Sequence, residues 1–210
     1  NNCAICQSSR RQQQREPLRS SEVPTGPWKV VAADLLSCVG STFLVVIDYQ
    51  SEFIEVEECR ENTHSITIQE KLAKIFAVHG KPDKLLTDNG PQFASHSFRE
   101  FANEWRFAHV TTSPYHHRAN GMVERANQTV RHMLEKAGGD RIKTYYALLN
   151  FRNTPKTPES GSPAQRLFGR RTATKLPASE KLLKPSIVDP VRVQETLEKN
   201  RQTAQRYYNP

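Results

Sequence analysis

Val30-Val31-Ala32-Ala33-Asp34-Leu35-Leu36 is an apolar run with a single carboxylate at its centre. An unpaired carboxylate is costly to bury, so Asp34 needs a hydrogen-bonding partner or a cation. Phe43-Leu44-Val45-Val46-Ile47-Asp48 is a second apolar run, and residues 37–42 between the two contain a glycine. The pair predicts a hairpin of buried strands. Phe53-Ile54-Glu55-Val56-Glu57 alternates and predicts a third, half-exposed strand.

From Thr63 the period changes. Ile68, Leu72, Ile75 and Phe76 fall on one helix face, which Gly80 and Pro82 terminate. Lys84-Leu85-Leu86-Thr87 reads as a fourth strand, cut off at Asp88 by Asn89-Gly90-Pro91. Phe98, Phe101, Ala102 and Trp105 mark a helix, and residues 107–110 a short fifth strand. After a loop over 111–120, Met122, Ala126, Val130, Met133 and Ala137 define the apolar face of another helix. Asp140 is placed to cap a helix carrying Ile142, Tyr145, Tyr146, Leu148 and Leu149, which ends at Asn153-Thr154-Pro155. Prolines punctuate the remainder of the chain, leaving a small helix at 164–168 and a polar helix over about 189–208. Three strands, helix, strand, helix, strand, helix is the pattern of a mixed five-stranded sheet covered by helices, an α/β fold.

The chain of 210 residues is long enough for one substantial core with appendages. Its formal charge of +8 is unevenly placed: residues 152–210 hold 12 Lys and Arg against 5 Asp and Glu. A basic final third suits a polyanion, since cations that neutralise phosphates gain affinity by counterion release; a merely solvated tail has the same composition. No run of 18 apolar residues and no signal-like N-terminus occurs, so no membrane partner is expected. Four cysteines without regular spacing make no disulfide framework. The chain starts without Met and stops at Asn209-Pro210 in mid-pattern, so it reads as a piece of a longer polypeptide.

Metal-assisted phosphoryl transfer requires several carboxylates at one point, because hard divalent cations take oxygen ligands and two of them about 3.5–4 Å apart clamp the attacking and leaving oxygens. Asp34 lies inside a strand, and Asp88 lies at a strand's carboxyl end, where open α/β sheets place ligands. Glu124 falls on a helical stripe with Gln128 and Arg131, opposite the apolar face at about 100° per residue. Singly, each has an ordinary explanation: a hydrogen-bonded strand acid, a turn-capping Asp, a solvated helix Glu. Their combination is what suggests a site.

Trp28–Asp34, Val45-Val46-Ile47-Asp48-Tyr49-Gln50-Ser51, Leu86-Thr87-Asp88-Asn89-Gly90-Pro91-Gln92-Phe93, Thr112-Ser113-Pro114-Tyr115-His116 and Asn120-Gly121-Met122-Val123-Glu124-Arg125 together resemble the catalytic core of retroviral and gypsy-like LTR-retrotransposon integrases. Asp88 and Glu124 are separated by 35 residues, the spacing behind that family's DD35E label. The resemblance spans about residues 24–170, and Asn153-Thr154-Pro155 and Ser162-Pro163-Ala164 continue it past the core.

The resemblance implies a ribonuclease H-like fold and a divalent-metal-dependent DNA integrase, with Asp34, Asp88 and Glu124 as catalytic metal ligands for two Mg²⁺ or Mn²⁺ ions. It implies 3′-end processing and strand transfer, DNA as partner, a homo-oligomer and action in the nucleus after import from the cytoplasm. Asp48, the rival for Asp34, ends the second strand in this motif and is not a ligand. Tyr115, Asn120, Gln128, Arg131, Arg166, Arg170 and Arg171, with Lys175, become candidates for DNA contact. Cys3 and Cys6 look like the second half of a zinc module whose histidines would lie upstream. The implied organisation is a zinc-module remnant and linker over 1–22, a catalytic core over 23–155, and a basic extension with a connector helix over 156–210. One departure is His117-Arg118-Ala119, where such integrases usually show Pro-Gln-Ser. A domesticated relative, acting as a DNA- or protein-binding scaffold, is the competing expectation.

Overall fold

The computed structural model of the protein describes residues 24–60, 62–111, 121–157, 160–186 and 189–208. Strands β1 (Val30–Cys38), β2 (Ser41–Asp48) and β3 (Ile54–Cys59) form an antiparallel meander. β4 (Lys84–Thr87) pairs parallel to β1, and β5 (Ala108–Thr111) parallel to β4, so the sheet runs β3-β2-β1-β4-β5. The expected mixed five-stranded sheet is present. Its first hairpin is tighter than expected: only Val39 (φ 51) and Gly40 (φ 74) form the turn. Positive φ at both turn residues matches the twist of the flanking strands and lets both strands run longer than their apolar runs.

Side-chain alternation along β1 divides the interior in two. Val31 and Ala33 pack with α1 (Ser65–His79), α2 (Pro91–Ala94) and α3 (His96–Trp105), through Ile68, Leu72, Ile75, Phe76, Phe93 and Phe98. Ala32 and Leu36 pack on the opposite side with α4 (Gly121–Ala137) and α5 (Arg141–Asn153). On α4 the fully buried positions are Val123, Ala126, Val130, Leu134 and Ala137. Met122 and Met133, expected on that face, are only partly buried beside it. Asp140 caps α5 by accepting from the Lys143 N–H at 3.1 Å, as its position suggested. The apolar residues of α5 are not all inside, however: Ile142 and Tyr145 are 79% and 59% exposed.

The chain beyond α5 is bound to the sheet. α6 (Pro163–Phe168) opens with a capping box between Ser162 and Gln165, and its Phe168 meets Phe53 edge-on at 5.2 Å. Asn153 accepts from the Thr172 N–H and donates to the Thr172 hydroxyl, both at 2.8 Å. These contacts carry the packed unit past residue 155 to Thr172. Beyond it lie the short α7 (Glu180–Leu183) and the long polar α8 (Pro190–Tyr208). Among the described residues no helix is long and apolar enough to cross a membrane.

Candidate metal centre

Asp34 shares its strand face with Ala32 and Leu36, so its carboxylate points to the α4 side of the sheet. The parallel register sets Ala32 beside Leu86. Continued by two residues, the same offset brings Asp88 alongside Asp34, just where β4 has ended. The strand stops there because the Asp88 carboxylate accepts from the Gly90 N–H at 3.0 Å, forming an Asx turn, and Pro91 then opens α2. Glu124 stands exposed in the first turn of α4.

Asp34 accepts from the Leu35 N–H through Oδ1 and from the Asn127 amide through Oδ2, each at 2.8 Å. Burial nevertheless pushes its carboxyl above the ordinary value, and the charges of Asp88 and Glu124 push the same way against those two hydrogen bonds. The three acids thus share one electrostatic neighbourhood. Among the described residues, no three His, Cys, Asp or Glu side chains converge closely enough to hold an ion as they stand. The donor set nonetheless fits a hard divalent cation: all its groups are carboxylates, and an ion between them would offset the repulsion that holds Asp34 back from ionising.

Asn127 joins the candidate site although the sequence pattern did not single it out. It lies three positions after Glu124 and reaches back to Asp34, while its own Oδ1 is buried without a hydrogen-bond partner. The available signal was a polar side chain bordering the buried stripe of Ala126 and Val130, which an ordinary solvated helix flank also carries.

Asp48 is fully buried, with Oδ1 accepting from the Trp28 N–H at 2.9 Å and Oδ2 from the Ser51 N–H at 2.8 Å. It organises the turn after β2. Gln128 and Arg131 are exposed on α4, and Arg170 is exposed after α6. Arg171 donates to Gln165 at 3.2 Å, and the Lys175 ammonium lies 4.6 Å from the centre of the Tyr146 ring. Arg166 requires a correction. Its side chain is 2% exposed, pairs with Glu52 at 2.9 Å and donates to the Gln50 carbonyl, so it faces the protein interior and not a phosphate. Tyr115, Asn120, Cys3 and Cys6 lie outside the described residues.

A mixed sheet with helices on both faces, with acids on its first strand, at the end of its fourth and on the helix α4 that follows its fifth, has the architecture of the ribonuclease H-like fold. Residues 24–117 match the family model of the integrase core domain. Over that stretch the chain carries an integrase core domain, and its structural neighbours include retroviral integrase catalytic cores. An uncharacterized protein of Caenorhabditis elegans is 32% identical over 178 residues, which is 82% of this chain and 14% of that protein, so the chain spans about a seventh of its relative's length. Among solved structures, a chain of the simian T-cell lymphotropic virus intasome in complex with PP2A regulatory subunit B56 gamma matches with a TM-score of 0.67 and 21% identity, over 85% of this chain and 69% of that one. The HTLV-2 integrase catalytic core domain in complex with magnesium (trimeric form) matches with a TM-score of 0.57 and 22% identity, over 68% of this chain and 97% of that one.

Proposed function

We propose that this chain is an integrase-type polynucleotidyl transferase that inserts element DNA into target DNA, with Asp34, Asp88 and Glu124 as ligands of two Mg²⁺ or Mn²⁺ ions. The observation that carries this reading is the match of residues 24–117 to the integrase core domain, with Asp34 on β1 and Asp88 just past β4 inside the matched stretch and Glu124 on α4 beyond it. The magnesium in the HTLV-2 core supports the choice of cation. Such ions, when bound, polarise phosphate oxygens and make water or a hydroxyl a better nucleophile.

In the proposed reaction water cleaves a phosphodiester near a DNA end and leaves a 3′-hydroxyl. That hydroxyl then attacks a phosphodiester of the target strand in line and expels the target's 3′-oxygen. One phosphodiester replaces another, so the joining step consumes no nucleotide, and because the DNA hydroxyl attacks phosphorus directly no covalent enzyme intermediate forms. The chain's own part is to hold its three acids and the DNA. Asn127 fixes the direction of Asp34; Tyr115, Asn120, Gln128, Arg131, Arg170 and Arg171 are the residues that would contact DNA. A homo-oligomer acting in the nucleus completes the proposal, the trimeric form of the HTLV-2 core being a precedent for assembly. Strand transfer on DNA ends with Mg²⁺ or Mn²⁺ tests it: activity in the parent chain and its loss in Asp88→Asn and Glu124→Gln are expected, and equal activity in all three discards it.

A second reading is a domesticated integrase that keeps the fold and serves as a scaffold for DNA or protein. It is favoured by His117-Arg118-Ala119, which stands where such integrases usually show Pro-Gln-Ser. DNA binding without strand transfer under either cation distinguishes it.

A further inference from the structure

Thr87 is fully buried at the end of β4, and its hydroxyl donates to the Asp88 carbonyl at 2.8 Å. The same oxygen lies 2.9 Å from Nε2 of His109 on the neighbouring β5. A hydroxyl has one proton. With that proton committed to the Asp88 carbonyl, the contact with His109 forms only if the imidazole donates from Nε2 and Thr87 accepts. His109 is held in turn by Phe98 of α3, whose ring centre lies 4.8 Å from its own. A path of packing and directed hydrogen bonds therefore runs from α3 through β5 to the peptide on which Asp88 turns away from the sheet.

We infer that His109, acting through Thr87, is a positioning residue for Asp88: it fixes the Asp88–Asn89 peptide and so the direction in which the Asp88 carboxylate is presented. The inference rests on the proposed role of Asp88 as a metal ligand. β4 is only four residues long, and its ladder with β5 ends at Thr87. Past that point the sheet no longer restrains the chain. The Asx turn to Gly90 constrains the carboxylate from one side, and the Thr87–His109 pair constrains the carbonyl from the other. No metal-facing atom is assigned to His109. Outer groups of this kind set ligand orientation, and their loss commonly weakens metal affinity by about 10- to 100-fold.

The test is Mn²⁺ binding to the full chain, followed by electron paramagnetic resonance of free Mn²⁺, beside thermal unfolding of the same samples. His109→Phe keeps the packing on Phe98 and removes the donor; His109→Gln restores an N–H; Thr87→Val keeps the side-chain shape and removes the relay; Asp88→Asn reports on the underlying reading. The expected result is about tenfold weaker Mn²⁺ binding in His109→Phe and Thr87→Val, with most of the loss recovered in His109→Gln. Parent-like binding in both His109→Phe and Thr87→Val, while Asp88→Asn binds poorly, overturns the relay and leaves the metal site standing. Parent-like binding in Asp88→Asn overturns the metal-site reading, and the relay with it. A lowered melting temperature with unchanged Mn²⁺ affinity assigns His109 a purely structural role and also overturns the inference.

Discussion

Asp34 is pulled in two directions: two hydrogen bonds favour its carboxylate form, while burial and two neighbouring acids oppose it. The opposition prevails. A carboxyl whose value is raised on folding binds protons more readily in the native state, so native stability falls as pH rises from the ordinary 3.8 through the raised value. Asp34→Asn therefore removes a destabilising charge. It also finds a ready partner, because the Asn127 amide can rotate and offer its orphan Oδ1 to the new N–H₂. The expectation is a higher melting temperature at neutral pH, about 2–4 °C for each kcal/mol regained, together with loss of strand transfer. Calorimetry at pH 7 in metal-free buffer checks this, and a fall in melting temperature counts against it. Asp34 and Asp88 drew notice as a carboxylate in an apolar strand and another at an Asp-Asn-Gly bend, but only in combination with Glu124 did they suggest a site. Asn127 drew none, because its importance comes from a partner 93 residues away.

At the level of elements, the join between the β2–β3 turn and α6 is electrostatic. Glu52, in a left-handed conformation at φ 57, accepts from Arg166 and Lys156 in a largely buried cluster. Burial alone would raise the Glu52 carboxyl, but Lys156 and Arg166 outweigh it and hold it below the ordinary 4.5. Glu55 behaves alike: burial opposes its charge, and His79 and Arg152 prevail. A lowered acid adds stability that is present above its unfolded value and lost as pH falls through the folded one. Urea unfolding should accordingly show stability declining below about pH 4.5, and Glu52→Gln should flatten that decline while lowering stability at pH 7. Arg166→Ala leaves Glu52 buried with one partner fewer and should cost about 3–5 kcal/mol at pH 7. A loss below about 1 kcal/mol means that the cluster is more solvated than its burial indicates. Element boundaries were legible where caps or breakers mark them, as at Asp140 and at Gly80. Arg166 was misread because a basic residue in a basic segment looks like a phosphate contact; what buries it is Glu52, 114 residues away in the chain.

Across the whole molecule, the succession of strands and helices and the mixed sheet they build followed from periodicity, while the contacts that hold the segment after α5 did not. The contacts of Asn153, Arg166 and Phe168 show why: they tie α6 to the β2–β3 turn and the segment after it to α5, with side chains whose pairing no local pattern announces. A chain ending at residue 155 should melt well below one ending at residue 186, and equal melting temperatures would show that α6 adds nothing. Charge should divide by exposure in the same way. Arg131→Ala and Arg170→Ala are expected to weaken DNA binding and to reduce its salt dependence by about one unit of slope for each phosphate no longer neutralised. Arg166→Met should leave that slope unchanged, and fluorescence anisotropy across a salt series separates the two behaviours.

The central claim is that Asp34, Asp88 and Glu124 serve one metal centre. Anomalous diffraction from crystals soaked in Mn²⁺ tests it most directly. Peaks in contact with the Asp34 and Asp88 carboxylates, with Glu124 drawn in from α4, are the expected result; Mn²⁺ bound elsewhere, with these three side chains pointing apart and ligand-free, would contradict the account.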